Sequence, residues 1–296
     1  MSDLHDFTAE DFQRDVSRTA AAIGAPCDPH TASDVFTAFP EPFLSGSVLW
    51  RSTDQAQAPL SYRIFPTSPI DTTERALAAG LLPADHPLLP LARAWGGLYD
   101  GRTRHSCSFD SDFGLTKTWF YFGTKRPHDE ILGAPGVPAV LTNRIGEFAE
   151  LNLRRISFAA VDWRQGSVVL DFDIDGSLSR SDLDRHVRLA GGAPVDPATA
   201  DTVVQHISRD YCVALGVDAT TGKAFDVGVS VLDVPVETLP PLPTRLTGFF
   251  GDIPVSRNEF TVFGWSFGRH GTYLKSERQY AGDIRAVLDT WAKETN

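Results

Sequence analysis

FGWSFGRHGTYLKSERQY, residues 263–280, consists of two alternating runs that meet at a Gly-Arg-His-Gly turn. On the second run Tyr273, Lys275 and Glu277 occupy every other position, and residues two apart in a strand project from one face. A hydroxyl, a cation and a carboxylate therefore stand in one row. Taken alone, the row also fits the wet face of an edge strand, where Lys and Glu are ordinary. The choice depends on how many such hairpins the chain contains.

Upstream, the same alternation recurs after helical stretches. Helices are predicted over Ala9–Ile23 and Ala32–Phe43, the second bounded by Pro29 and broken at Pro40 to Pro42, followed by strands Ser47–Ser52 and Leu60–Phe65. Helices Thr72–Leu81 and Pro87–Tyr99 precede strands Arg104–Phe109 and Leu115–Phe122. A helix Val137–Leu151 precedes Ile156–Trp163 and Val168–Phe172. Helices Ser179–Leu189 and Ala198–Ile207 precede Tyr211–Val217 and Ala224–Leu232. The last round is a helix Val236–Phe250, the quoted hairpin and a closing helix Ala281–Ala292. Five hairpins separated by helices exclude a parallel sheet of βαβ units. Ten antiparallel strands in an open sheet would leave long edges, so closure into a barrel is expected. Ten strands make a barrel wider than side chains can fill, which predicts a solvent-filled lumen. The fold class is α+β, a ten-stranded antiparallel barrel of five ααββ-like rounds with helices outside, forming one domain over residues 1–296.

Composition agrees with a globular chain: 296 residues, 42% hydrophobic and 22% charged. The polar, acidic start MSDLHDFTAEDFQRD lacks the features of a signal peptide, and no apolar run reaches the ~18 residues of a spanning helix. A cytoplasmic protein is expected, with no membrane partner. A net charge of −11 argues against nucleic acid. Three cysteines, Cys27, Cys107 and Cys212, show neither disulfide nor zinc spacing. Neither metal nor cofactor is signalled.

With helices outside, polar alternates point inward. This face predicts a lumen lined by Leu49, Arg51, Ser61, Arg63, Lys117, Trp119, Tyr121, Ser157, Ala159, Val169, Asp171, Cys212, Ala214, Asp226, Tyr273, Lys275 and Glu277. Arg51, Arg63, Lys117 and Lys275 come from three hairpins of an acidic protein, and enclosed cations are costly unless paired. Either Asp171, Asp226 and Glu277 neutralise them, or an anion such as diphosphate binds among them, Arg by forked hydrogen bonds and Lys as a point charge.

The residues also carry a resemblance. AAIGAP (21–26), LSYRIF (60–65), ERALAAGLL (74–82), KTWFYFG (117–123), FAAVDWR (158–164), DYCVA (210–214) and GWSFGRHGTYLKSERQYAGD (264–283) together resemble the soluble aromatic prenyltransferases with the α-β-β-α barrel, of the clorobiocin and novobiocin type. The resemblance implies transfer of dimethylallyl, or a longer allylic group such as geranyl, from its diphosphate to an aromatic small molecule. It assigns Arg51, Arg63, Lys117 and Lys275 to the diphosphate, Glu277 and Lys275 to catalysis, and the aromatic faces of Trp119, Tyr121 and Tyr273 to the carbocation. Leu49, Ser157, Val169, Asp171, Cys212, Ala214 and Asp226 are implied to complete the pocket. Some relatives have Asp at the Ser61 position, which helps hold magnesium, and Ser at the Arg63 position. With the carboxylate gone and a guanidinium in place, activity without magnesium is expected.

The chain departs from the family pattern at three places. Val169 and Asp171 stand where the family commonly has Asn and Tyr, and Asp226 where it has Arg. Ser157 replaces an Arg that meets the carboxylate of hydroxyphenylpyruvate in relatives using that acceptor, so a different acceptor is expected. Two further function classes remain: a non-catalytic barrel carrying an aromatic or isoprenoid ligand, and a repurposed barrel enzyme using Asp171, Asp226 and Glu277. A barrel has no strand edge that requires a partner, so a monomer is expected.

Overall fold

The computed structural model describes residues 8–254, 259–269 and 271–295. Residues 1–7, at the start of the polar N-terminal stretch, and His270 of the quoted turn lie outside the described residues. The strands are β1 (Ser47–Thr53), β2 (Ser61–Phe65), β3 (Arg104–Asp110), β4 (Gly114–Pro127), β5 (Arg155–Asp162), β6 (Ser167–Ile174), β7 (Tyr211–Asp218), β8 (Ala224–Val231), β9 (Thr261–Gly268) and β10 (Gly271–Ala281). Each pairs antiparallel with its neighbour in sequence, and β10 returns to β1, placing Arg51 opposite Glu277 and Thr53 opposite Lys275. The barrel is closed, as the hairpin count predicts.

This connectivity gives the barrel two different ends. Hairpin turns join β1–β2, β3–β4, β5–β6, β7–β8 and β9–β10 at one end. The helical connections all leave from the other, where β2, β4, β6 and β8 finish. The turn end is the mouth and the helical end is the floor. The C-terminal helix Ile284–Thr295 lies across the floor, with Ile284 and Leu288 reaching the lumen. It is tied down by an Arg104–Glu294 ion pair, by Arg126 Nη2 donating to the Thr295 carbonyl at 2.6 Å, and by Trp291 Nε1 donating to the Pro66 carbonyl at 3.0 Å.

The apolar core lies outside the barrel, between strands and helices. Outward alternates Trp50, Tyr62, Phe109, Phe120 and Phe172 are fully enclosed there. Helix Ala9–Ala22 begins on a Thr8–Asp11 capping box and drives Phe12 between Phe43, Trp50, Tyr62 and Tyr280. Tyr280 stacks on Trp50 at 4.4 Å and donates its hydroxyl to Asp15 Oδ2 at 3.0 Å. Filling the outer face with aromatics leaves the inner face free to be polar.

Several predicted boundaries shift for identifiable reasons. The stretch expected as one helix Val137–Leu151 is two short ones, Ala139–Thr142 and Ile145–Glu150, and a further helix, His128–Leu132, precedes them. Gly136 at φ 90° and Pro138 prevent a continuous run. Prolines also cut the expected Val236–Phe250 helix to a 3₁₀ turn Val236–Thr238 and a helix Thr244–Asp252. The helix expected over Pro87–Tyr99 is a regular helix only from Leu89 to Gly96, beyond which Tyr99 and Asp100 adopt positive φ. The closing helix starts at Ile284 because Ala281 completes β10 and Gly282 turns the chain at φ 79°. Among the described residues no helix is long and apolar enough to cross a membrane.

Candidate functional site

The lumen holds a cavity of about 340 Å³, within the range of small-molecule sites. Leu49, Arg51, Arg63, Lys117, Trp119, Tyr121, Ser157, Val169, Asp171, Cys212, Ala214, Asp226, Tyr273, Lys275 and Glu277 all border it. Ser61 faces a small side pocket shared with Arg51, Arg63, Lys117 and Glu277, and donates to Asp110 Oδ1 at 2.7 Å. The row Tyr273–Lys275–Glu277 therefore faces inward.

Ala159 does not border the cavity. It packs in the outer core because β5 carries a bulge between Ile156 and Phe158. The bulge resets the alternation, so Phe158 and Asp162 line the lumen along with Ser157. Opposite it, β4 loses register between Tyr121 and Arg126, where Lys125 has φ 54° and donates its backbone N–H to Ser157 Oγ at 3.1 Å.

The cations differ from one another. Lys117 is tied to Asp162 at 2.7 Å, a buried pair contributed by the end of β5. Arg51, Arg63 and Lys275 form no ion pair among the described residues. Arg63 donates Nε to Ser106 Oγ at 2.9 Å, and its guanidinium carbon lies 4.2 Å from the Trp119 ring centre, 4.3 Å from Phe65 and 4.8 Å from Phe158. Its Nη2 is enclosed without a hydrogen-bond partner. Burial lowers the Arg63 pKa to about 10, while Glu277 and Asp171 pull it back up. Trp119 is in turn fixed by donating Nε1–H to Ser108 Oγ at 2.8 Å. The Lys275 ammonium lies above Gly228, where an added Cβ would stand 3.5 Å from Nζ and 3.3 Å from Ser266 Oγ. A side chain there would press on the ammonium, so the glycine gives Lys275 its place.

The facing wall is acidic and small. Burial raises the Asp171 carboxyl to about 6, against the pull of Lys275 and Arg63. Burial also raises Asp173, whose Oδ2 accepts from Ser157 Oγ at 2.5 Å. Cys212, enclosed beside both, is held well above its ordinary thiol pKa and is a poor nucleophile. Burial likewise raises the Tyr273 phenol. Small residues Ala214, Gly216 and Gly228 separate these groups.

Sequence reasoning missed Asp162, Asp173, Phe65 and Phe158 in the lumen. Extending the inward alternates by one step on β2 and β6 reaches Phe65 and Asp173. Asp162 in VDWRQG reads as a turn residue, and the β5 bulge that turns it and Phe158 inward leaves no pattern in a single sequence.

A closed ten-stranded barrel whose lumen sets unpaired cations against aromatic faces has the architecture of the barrel prenyltransferases. The family model described as aromatic prenyltransferase Orf2 matches residues 7–292, and the chain belongs to that family. It is 39% identical over 287 residues to a 4-hydroxyphenylpyruvate 3-dimethylallyltransferase of Streptomyces niveus, covering 97% of this chain and 89% of that protein. It is 34% identical over 292 residues to an aromatic prenyltransferase of Sclerotinia sclerotiorum, covering 96% and 94%. Among solved structures, the 5-dimethylallyl tryptophan synthase of Streptomyces coelicolor, crystallised with DMASPP and Trp, superposes with a TM-score of 0.58 at 11% identity over 91% of this chain and 94% of that one. That likeness is one of fold.

Proposed function

We propose that the lumen transfers a dimethylallyl group from its diphosphate to a carbon of an electron-rich aromatic ring, with geranyl as the longer alternative donor. The observation that carries this reading is the trio Arg51, Arg63 and Lys275, enclosed in the lumen without carboxylate partners. Enclosed cations of this kind favour an anion whose charge grows during reaction.

In the step itself the allylic C–O bond breaks with its electron pair going to the diphosphate, which Arg51, Arg63, Lys117 and Lys275 hold. Trp119, Tyr121 and Tyr273 offer ring faces to the allyl cation, lowering its energy through their quadrupoles. The ring carbon forms the new C–C bond, and the proton displaced from that carbon passes to Glu277 as general base. Glu277 is paired in register with Arg51 across the β1–β10 seam, which puts acceptor chemistry beside the leaving group.

Arg63 takes the place a metal would fill: a fixed guanidinium, held by Ser106 and three rings, on the strand that carries Ser61 rather than a carboxylate. Turnover therefore proceeds in excess chelator. The relative from Streptomyces niveus acts, by its name, on 4-hydroxyphenylpyruvate. In this chain the region around Ser157 carries Asp173 and Asp171, so an acceptor other than that keto acid is expected. One barrel domain, acting as a soluble cytoplasmic monomer, completes the reading, and sedimentation analysis checks the monomer.

The test is calorimetric binding of dimethylallyl S-thiolodiphosphate with EDTA present, together with mass analysis of products from a panel of phenols, naphthols and indoles. Binding in chelator and a mass gain of one dimethylallyl unit are expected. Affinity unchanged by Lys117→Ala and Lys275→Ala together would refute the diphosphate site, and ligand binding without any product would favour a carrier barrel.

A further inference from the structure

Five carboxylates, Asp162, Asp171, Asp173, Asp226 and Glu277, line the lumen beside four cations, Arg51, Arg63, Lys117 and Lys275. Lys117 is already taken up by Asp162. A diphosphate seated on the remaining cations brings further negative charge, which leaves the acidic wall uncompensated.

That wall has a definite shape. Asp171 and Asp173 are two apart on β6 and both project inward. Asp173 has Oδ2 engaged by Ser157 and Oδ1 3.9 Å from the Cys212 sulfur. Asp171 is enclosed by the barrel yet makes no hydrogen bond or ion pair among the described residues. Lys275 attracts it without forming an ion pair with it. Beside the two carboxylates the wall is cut back to Ala214, Gly216 and Gly228, while Phe65, Trp119, Tyr121 and Phe158 also face the cavity from β2, β4 and β5. The space between is a slot suited to a flat ring, with carboxylates along one edge. An enclosed carboxylate without a donor is unfavourable until a donor arrives.

The geometry points to an aromatic acceptor that carries a nitrogen-bound proton, an ammonium or a ring N–H, on the edge that meets Asp171 and Asp173. An acceptor bearing a carboxylate on that edge is repelled. The assignment rests on the prenyl-transfer reading of the same lumen, and deepens it by naming the chemical class of the acceptor.

The full-length protein, loaded with dimethylallyl S-thiolodiphosphate, is titrated with two matched pairs: tyramine against 3-(4-hydroxyphenyl)propionate, and 5-hydroxyindole against 5-hydroxybenzofuran. The ammonium and N–H members are expected to bind about tenfold tighter than their counterparts. Asp171→Asn and Asp173→Asn each narrow the gap, and the double variant closes it. Equal affinities in the wild-type protein, tighter binding of the propionate, no binding of any of the four, or a gap untouched by the double variant would overturn the inference. Because binding is read without turnover, the two readings fail separately. An N–H preference with no product from natural diphosphate would overturn prenyl transfer, whereas product formed without that preference would overturn only the acceptor assignment.

Discussion

The two walls of the lumen are built on opposite plans. The wall from β1 to β4 is bulky and basic: Arg51, Arg63 and Lys117 stand among Phe65, Trp119 and Tyr121. The wall from β6 to β8 is small and acidic, with Asp171, Asp173 and Asp226 among Ala214, Gly216 and Gly228. Rigid rings and serines hold the basic wall in place, as Ser106 does for Arg63 and Ser108 does for Trp119. The acidic wall instead leaves space. A site that must grip one charged group tightly and admit a second, variable molecule needs this asymmetry.

Removing charge from the basic side should have the largest effect. Arg63→Ala with Lys275→Ala is expected to lower kcat/KM by about 10⁴-fold, since each removes a donor that acts on developing charge. Single-turnover kinetics with dimethylallyl diphosphate check this, and a loss below tenfold would place the diphosphate elsewhere. Lys117 sharpens the comparison because it already has a partner. Lys117→Ala leaves Asp162 buried and unpaired, with an expected loss of about 3–5 kcal/mol of stability. Adding Asp162→Asn should recover much of it, and denaturant unfolding of the single and double variants reads both.

Glu277→Gln is expected to lower kcat by about 10²–10³-fold while leaving the affinity for the thiolodiphosphate close to normal. Equal losses in rate and affinity would make Glu277 part of the cation framework instead of the base.

The smallest effect, and one of opposite sign, belongs to the acidic wall. Asp171, facing Lys275, Arg63, Asp173 and Glu277, has its pKa raised from 3.8 to about 6 by burial. A carboxyl raised in the folded state binds protons more tightly there, so stability falls as pH rises from about 4 to 6 and stays lowered above. Asp171→Asn removes that term. The variant should be more stable than the parent by roughly 3 kcal/mol at pH 8 and nearly equal to it at pH 4, as thermal unfolding at the two pH values would show. An equal difference at both would mean that Asp171 is not the titrating group.

Much of this barrel is legible in the sequence because strand alternation and hairpin turns are local signals. The row Tyr273, Lys275 and Glu277 could be assigned inward by counting strands, since closure fixes which face is inner. What escaped depended on departures from alternation. The bulge at β5 carries Ala159 out and Phe158 in, and a single sequence does not mark an extra residue within an apolar run. The Lys117–Asp162 pair escaped for a related reason: Asp162 sits beside the turn, where an aspartate is unremarkable, and its partner lies on the preceding hairpin. The floor was also hidden, because the closing helix buries Ile284 and Leu288 against residues from four strands, a tertiary contact with no sequence period of its own.

The pairing of β10 with β1 also fixes an order of events during synthesis. Strands made first can only form an open sheet with two bare edges, and an exposed edge invites pairing with other chains. The seam closes only when residues 275–281 leave the ribosome and find Val48–Thr53. Lys275 and Glu277 ride on that last strand, so the same segment that seals the edge also delivers the ammonium and the carboxylate. The nascent chain is thus most prone to association just before it acquires its chemistry, and a ribosome pause shortly after residue 281 would favour closure over aggregation.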